Sequence, residues 1–539
     1  MMKKNQPITS MYLNVIITFV IIILVNLISL SVFHRFDFSK GKVFTLAQSS
    51  KKAVGSLKDN LVIKAYFSKN LPNKYADNAR YVKDLLSNYQ AYSKGKLKFE
   101  FVDPGDTDKL KEEASKDRIY PARIQVLEND KMEIREVYMG LAFEYEGNFE
   151  ALPLIQEKEG LENSVTSLIR RLMKTNLPTV AVFQDSLSTQ ETYKTVIKTL
   201  NENYNVMGTD LRQPFSADVL VFTGVLDSIS VLQQYNLDQY LMHGGNILFF
   251  QDRIFVNVEY QITVPIRSNI YRMLHQWGID IRPVLVTDAN CGTVKLMTHQ
   301  GMTSIEVPMN YPLIPIVDNV NKKDIISRNL NTIAFFFASP INQAYKKPGI
   351  TMTPLLMSSH NSGEVTGPGY DINIQRFMDK QSIGLLSGEP QVLAAKFEGT
   401  FPSNFANVDT TKAQGYISHT SVGKIIVVAD NDFIVENEGG QIPNNLNFIL
   451  NSIDYLANDT SMIDVRSRNF TPSDLSIASW LSRRLGIDDP TEIANMEPMV
   501  RKITKWLNIL LPSILIIFYG IIRNRAERRR RSEIKERYV

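Results

Sequence analysis

A chain of 539 residues is too long for one ordinary core and asks for two or three folded units. With 44% hydrophobic and 22% charged residues, most of it has the composition of a body that folds in water. The net charge of +4 is unevenly placed, with eight basic residues among the last seventeen. The middle is therefore slightly acidic, which excludes a nucleic-acid surface, and the one cysteine, Cys291, excludes an internal disulfide and a four-thiolate zinc site.

Residues 1–10 read as a short cytoplasmic tail carrying Lys3 and Lys4. Residues 11–33 contain no charge over 23 positions, enough for a helix to cross a bilayer about 30 Å thick. The competing reading is a cleaved signal peptide with Ser29 and Ser31 near the cut, but a signal core spans only about 7–15 residues. An uncleaved anchor is expected.

A first domain is expected over 45–175. A strand at 61–67 is followed by a helical stripe of Val82, Leu85, Leu86 and Tyr89. Leu97, Phe99 and Phe101 then alternate with charge up to Asp103-Pro104-Gly105. This β-α-β unit resembles half of a thioredoxin-like domain, but SKNLP at 68–72 holds no CxxC, so redox chemistry is not expected. Alternating segments at 124–126 and 136–145 extend the sheet. An amphipathic helix with Leu161, Val165, Leu168, Ile169 and Leu172 leads to a boundary at Asn176-Leu177-Pro178.

A second domain is expected over 178–470. A buried strand at 180–183 closes at Asp185, and a helix carries Tyr193, Val196, Ile197 and Leu200. The runs DVLVFTG at 218–224, NILFFQD at 246–252 and KIIVVAD at 424–430 are continuously apolar, as parallel strands covered on both faces are. The helix between the first two carries Val231, Leu232, Tyr235 and Leu241, and His243-Gly244-Gly245 caps it. Leu446, Ile449, Leu450, Ile453 and Leu456 mark a helix after the last strand. This alternation predicts an α/β fold with an open parallel sheet, flavodoxin-like or amidotransferase-like and non-catalytic, with a strand-rich insertion at about 291–420.

Residues 471–505 read as a helical connector, 506–522 as a second transmembrane helix, and 523–539 as a basic cytoplasmic tail. Arg523, Arg525, Arg528, Arg529, Arg530 and Arg531 follow that span, against Arg501, Lys502 and Lys505 before it. Basic residues stay on the cytoplasmic side, so both termini are expected in the cytoplasm and the bulk of the chain in the periplasm, at the inner membrane. The same arginines suit anionic lipid. Asn26 and the Pro512–Ser513 step are the expected contacts with a partner's membrane helices, since an amide facing lipid is costly.

Catalytic signatures are sparse. GxxxxGK[ST], GxSxG and HExxH do not occur, and no two of the six histidines have metal-ligand spacing. Cys291, after a strand at 283–287, has the place of an amidotransferase nucleophile but no evident histidine partner; a half-buried thiol is the simpler reading. His243-Gly244-Gly245 could form an oxyanion loop, but the helix cap explains it. Asp252, Asp288, Asp430 and Asp432 end predicted core strands, the edge where open α/β sheets hold ligands, although turn aspartates also occur there. No catalytic residue, metal site or cofactor is assigned.

Taken in order, YFSKNLP at 66–72, KFEFVDPGD at 98–106, YMGLAFEY at 138–145, GLENSVTSLIRRL at 160–172, LDQYLMHGGNILFFQD at 237–252 and WLNILLPSILIIFYGIIRNRAERRRR at 506–531 resemble the GldG family, auxiliary membrane subunits of ABC transporters associated with gliding motility. The resemblance runs nearly end to end. It implies a separate ABC ATPase and permease as partners and a substrate-binding role in name only, and it transfers no catalytic residue. The expected function is a non-enzymatic accessory subunit. An envelope-acting enzyme or a wall-binding structural protein remains the alternative.

Overall fold

The computed structural model describes residues 45–466 apart from 72, 129–130, 159, 174–176, 185–190, 301–302, 345–348, 378–385 and 407–414, together with Ile17 and residues 502–503, 505–507, 510, 518–523 and 525–526. The chain divides into two compact units, Met1–Asn469 and Phe470–Val539.

The first unit is mixed α/β. Helix α1 (Gln48–Gly55) leads into β1 (Leu61–Phe67), α2 (Asn73–Tyr92), β2 (Leu97–Val102) and α3 (Asp108–Lys116). Then come β3 (Ala122–Glu128), β4 (Lys131–Val137), β5 (Met139–Tyr145), β6 (Asn148–Leu152) and α4 (Leu161–Leu172). The sheet order is β2-β1-β5-β6, with β1 and β2 parallel and the other pairs antiparallel. Val82, Leu85, Leu86 and Tyr89 of α2 and Val165, Leu168, Ile169 and Leu172 of α4 fill one apolar cluster with Ile63, Ala65, Leu141 and Phe143.

A larger sheet follows, built on β7 (Thr179–Phe183), α5 (Lys194–Asn203), β8 (Asn205–Thr209), β9 (Val219–Phe222), α6 (Val231–Met242) and β10 (Asn246–Phe250). A hairpin of β11 (Ile254–Asn257) and β12 (Ile262–Pro265), then α7 (Ile270–Gln276), come next. The strand-rich stretch contains β13 (Ile279–Ile281), β14 (Val284–Asp288), β15 (Cys291–Gln300), β16 (Thr303–Val317), β17 (Asn319–Val320), β18 (Ile333–Ala334), β19 (Ile341–Gln343), β20 (Ile350–Met357), β21 (Ser362–Thr366) and β22 (Val392–Gly399). It ends with β23 (Gly423–Val428), α8 (Pro443–Leu456) and α9 (Ile463–Arg466). Eight strands pair in the order β17-β20-β22-β23-β10-β9-β7-β8. The five from β23 to β8 are parallel.

Alternate residues of the parallel strands fill two cores. Val180, Val182, Val219, Val221, Leu248, Phe250, Ile426 and Val428 meet α5 and α8. Ala181, Phe183, Leu220, Phe222, Ile247, Phe249, Ile425 and Val427 meet α6 and α7. Covering on both faces explains the unbroken apolar runs.

Two local readings change. Strands β20 and β22, inside the stretch read as an insertion, extend the main sheet, with β22 antiparallel to β23 and β20 antiparallel to β22. Helix α6 buries Leu241 as expected, but leaves Val231 and Leu232 exposed and buries Asn236, Leu237 and Asp238 instead. Asn236 donates to the Leu211 carbonyl, and Asp238 accepts from Ser403 Oγ at 2.6 Å and Asn404 N–H at 2.7 Å. Internal hydrogen bonds offset the cost of burying these polar groups.

The two ends of the described stretch 45–466 come together. Ala47, Met462 and Val465 form one small apolar cluster. The buried Glu162 carboxylate accepts from Ala47 N–H and Ser50 Oγ, both at 2.7 Å. Arg170 pairs with Asp459 at 2.5 Å, and buried Arg466 pairs with buried Asp454.

The second unit has helical residues between Lys502 and Ala526, with Trp506, Phe518, Arg523 and Arg525 exposed. Among the described residues no helix is long and apolar enough to cross a membrane. The span expected at 11–33 is described only at Ile17. Asn26, the connector at 471–500, Pro512, Ser513, Arg528, Arg529, Arg530 and Arg531 lie outside the described residues.

Candidate functional site

In the parallel sheet the chain runs from β7 outward to β8, then returns to the other side of β7 as β9. The carboxyl ends of β7 and β9 therefore diverge, which opens a crevice where such sheets bind ligands. A cavity of about 200 Å³ lies there. Its lining includes Thr192 and Tyr193 from the segment after β7, Thr223 to Leu226 after β9, Gln251 and Asp252 after β10, and Asn431 and Asp432 after β23. Ile254, Phe255 and Val256 of the hairpin and Phe337 complete the wall.

The floor is braced from within. Gln251 accepts from Val225 N–H at 2.9 Å and donates to the Val225 and Asp252 carbonyls, tying the β9 and β10 ends together. Gly224, at φ +81°, is the close approach this needs: a Cβ there would sit 2.7 Å from the Phe250 carbonyl oxygen and 3.2 Å from Asn431 Oδ1. Tyr193 donates to the Thr223 carbonyl at 3.3 Å and accepts from Asn431 Nδ2 at 3.4 Å.

Three of the four strand-end aspartates converge here. Asp252 Oδ1 accepts from Asn431 N–H at 2.6 Å. Asp430, fully buried, accepts from Phe336 N–H at 2.6 Å and Phe433 N–H at 3.1 Å. Asp432 shares a hydrogen bond with Glu438. Burial first, then the Glu438 charge, raises Asp252 to about 7. Burial first, then the Asp252 charge, holds Asp430 and Asp432 well above the carboxylate range. Burial also raises Glu438 and the Tyr193 hydroxyl. Among the described residues no Lys, Arg or His lines the cavity. Arg253 is held by the Ile266 carbonyl at 2.6 Å and lies over the Tyr271 ring.

Asp288 stays apart. It ends β14, which pairs with β21 outside the main sheet, and its carboxylate accepts from Asn290 N–H, Ser359 N–H and Ser359 Oγ. That is a turn lock. Glu438 and Tyr193 were not among the residues singled out from the sequence. Tyr193 stood there as one member of a helical stripe, and Glu438 has no periodic signal. Gly439 and Gly440 bring Glu438 in by packing on the backbone of Phe433 to Val435, where a Cβ would meet carbonyl oxygens at 2.4–2.7 Å.

The other candidates resolve simply. His243 caps α6, with Nδ1 2.7 Å from the Gln239 carbonyl oxygen and Gly244 at φ +93°. Burial raises the half-buried Cys291 thiol, the opposite of what activates a nucleophile. Among the described residues no group of acidic, histidine or cysteine side chains could hold a metal ion.

Comparison with known proteins gives one informative family. A model described as a domain of unknown function matches residues 40–144. An uncharacterized protein of Borreliella burgdorferi is 22% identical over 543 residues, covering 98% of this chain and 100% of that one. Among solved structures, the mmIFT52 N-terminal domain shares 13% identity over 52% of this chain and 97% of that one, with a TM-score of 0.31. A ThuA-like protein from Parabacteroides merdae shares 10% over 47% and 79%, with a TM-score of 0.23. The family model for an ABC-type uncharacterized transport system matches residues 177–460, more than half of the chain and all of the parallel sheet. The chain belongs to this family of auxiliary proteins of ABC-type transport systems.

Proposed function

We propose that the protein is a membrane-anchored, extracytoplasmic accessory subunit of an ABC transporter of the gliding-motility type, working with a separate ATPase and permease. The observation that carries this reading is the meeting of Ala47 with Met462 and Val465, near the two ends of the described stretch 45–466. A body fixed to one surface by a segment before it and another after it needs its two attachment points together. Family membership supplies the transport system, and the uncharged runs at 11–33 and 506–522 supply the anchors. The basic tail from Arg523 puts both termini in the cytoplasm and the bulk of the chain in the periplasm. Asn26, Pro512 and Ser513 face permease helices in this arrangement. The subunit carries no catalytic step: the family gives an accessory role, and the cavity residues form a bonded acidic floor rather than a nucleophile–base pair.

Copurification from native membranes with mass spectrometry tests the partners. An ABC ATPase and permease are expected, and their absence sinks the proposal. Reporter fusions at residue 300 should read outside the inner membrane and fusions after residue 539 in the cytoplasm; a cytoplasmic signal at 300 refutes the topology. The raised Asp252 favours one competing reading, an envelope-acting enzyme with Asp252 as general acid. Loss of function in Asp252→Ala, with folding and assembly intact, would favour it.

A further inference from the structure

The cavity at the sheet's switch point has a chemical bias that accessory status does not explain. Two of its side-chain acceptors stand open. Asn431 Oδ1 is buried in the lining with no partner. Asp252 spends Oδ1 on Asn431 N–H, and among the described residues no donor reaches its Oδ2. The lining donors are already engaged: Thr223 Oγ1 donates to the Phe183 carbonyl, Tyr193 to Thr223, and Gln251 to two carbonyls and the Tyr271 hydroxyl. A buried acceptor left without a donor costs about 1–3 kcal/mol, so the arrangement favours a guest that donates.

Charge narrows the guest further. Asp252 and Asp432 line the cavity with no cationic side chain beside them, and Asp430 and Glu438 stand behind. A phosphate or carboxylate would meet no cation there and, once Asp252 ionises near pH 7, like charge. The open acceptors are the Asp252 carboxylate and the Asn431 amide oxygen, beside Tyr193, Phe255 and Phe337, which suits a charged nitrogen attached to an apolar body. The volume of about 200 Å³ admits a short chain or a single ring, not a polymer.

We propose that this cavity binds a small organic cation, a primary ammonium group on a short apolar body, with the ammonium on Asp252 and Asn431 Oδ1 and the body against the aromatic wall. The site stands on residues 177–460 alone and does not depend on the membrane topology.

The test uses the full-length chain in detergent at about pH 8, above the value of about 7 near which Asp252 ionises. The probes are n-butylammonium, n-butanol and butyrate, read by ligand-observed NMR and calorimetry. Butylammonium should bind, and the other two should bind at least about tenfold more weakly, a difference of about 1.4 kcal/mol. Asp252→Asn and, separately, Asn431→Ala should each weaken butylammonium by about tenfold or more, while the exposed Asp108→Asn leaves it unchanged. Thermal melts establish that each variant is folded, and two site variants keep the test decisive if one is not. Equal binding of butanol, no binding of butylammonium to the wild-type chain, or full affinity in both site variants overturns the proposal. None of these results bears on whether the chain copurifies with an ATPase and permease.

Discussion

Arg466 is the last described residue of the first unit, and its guanidinium is buried. Its side chain is 2% exposed and that of its partner Asp454 is 3% exposed. Asp454 also accepts from the Tyr204 hydroxyl at 2.7 Å, and Arg466 donates to Asn451 Oδ1 at 2.9 Å. Burial already pushes the Asp454 carboxyl above its ordinary range, despite the arginine beside it. In Arg466→Met the buried carboxylate loses the ion pair it makes among the described residues. Breaking one side of a buried pair costs about 3–5 kcal/mol. Replacing both charges, as Asp454→Leu with Arg466→Met, removes the stranded ion and should recover most of that loss. The pH dependence follows. With its folded pKa raised further, Asp454 destabilises the single variant while ionised, and the deficit should shrink as pH falls toward the carboxylate's unfolded value near 3.8. Urea unfolding followed by circular dichroism and by fluorescence of the buried Trp277 measures all four proteins. If the single variant sits within about 0.5 kcal/mol of wild type, or the double variant is as unstable as the single one, the pair does not carry the energy argued here.

Other consequences can be checked in parallel. Asp252 has a folded pKa near 7 against an ordinary 3.8, so its contribution is fully present below about pH 4 and lost as pH rises to about 7. Asp430, Asp432 and Glu438 shift the same way, with the Tyr193 and Tyr271 hydroxyls and Arg253 as the other ionisable groups around them. Stability should therefore fall across that window, and Asp252→Asn should flatten part of the slope; a profile identical to wild type would refute it. Gly224→Ala, at φ +81° against the Phe250 carbonyl, should cost about 1–3 kcal/mol in thermal melts. In copurification, Asn26→Leu should weaken permease association only slightly, about 0.6 kcal/mol for a membrane hydrogen bond, whereas replacing both apolar runs by unrelated ones should abolish it.

The parallel strands were legible because they are covered twice. DVLVFTG, NILFFQD and KIIVVAD carry no polar face, and no other local pattern fits an unbroken run that short. Strand β22 hid its role because VLAAKFEG has a lysine in its middle. Lys396 is buried there because Asp324, from elsewhere in the fold, meets it at 2.9 Å, beside Glu398 of the same strand at 3.1 Å. The stripe of α6 misled for the converse reason, since its buried Asn236 and Asp238 find partners at Leu211, Ser403 and Asn404 that no local pattern announces. The same limit applies at the cavity. An aspartate after a buried strand is a usable signal, and it found Asp252, Asp430 and Asp432. It also found Asp288, whose strand has the same local look but pairs with β21. Glu438 could be found only after folding, because what places it is the backbone contact of two glycines.

The junction at Ala47, Met462 and Val465 also says how such a body can be moved between proteins. A folded body whose chain enters and leaves at neighbouring points, here Ala47 and Val465, behaves like a bead on a loop. It can be set into the turn of a helical hairpin without spreading the two helices, or lifted out and leave a short gap. The same closeness makes the order of its segments negotiable. A link of a few residues from Arg466 to Leu46, with new ends cut in the exposed turn at Glu259 of the β11–β12 hairpin, would give a circular permutant whose sheets and buried pairs are all retained.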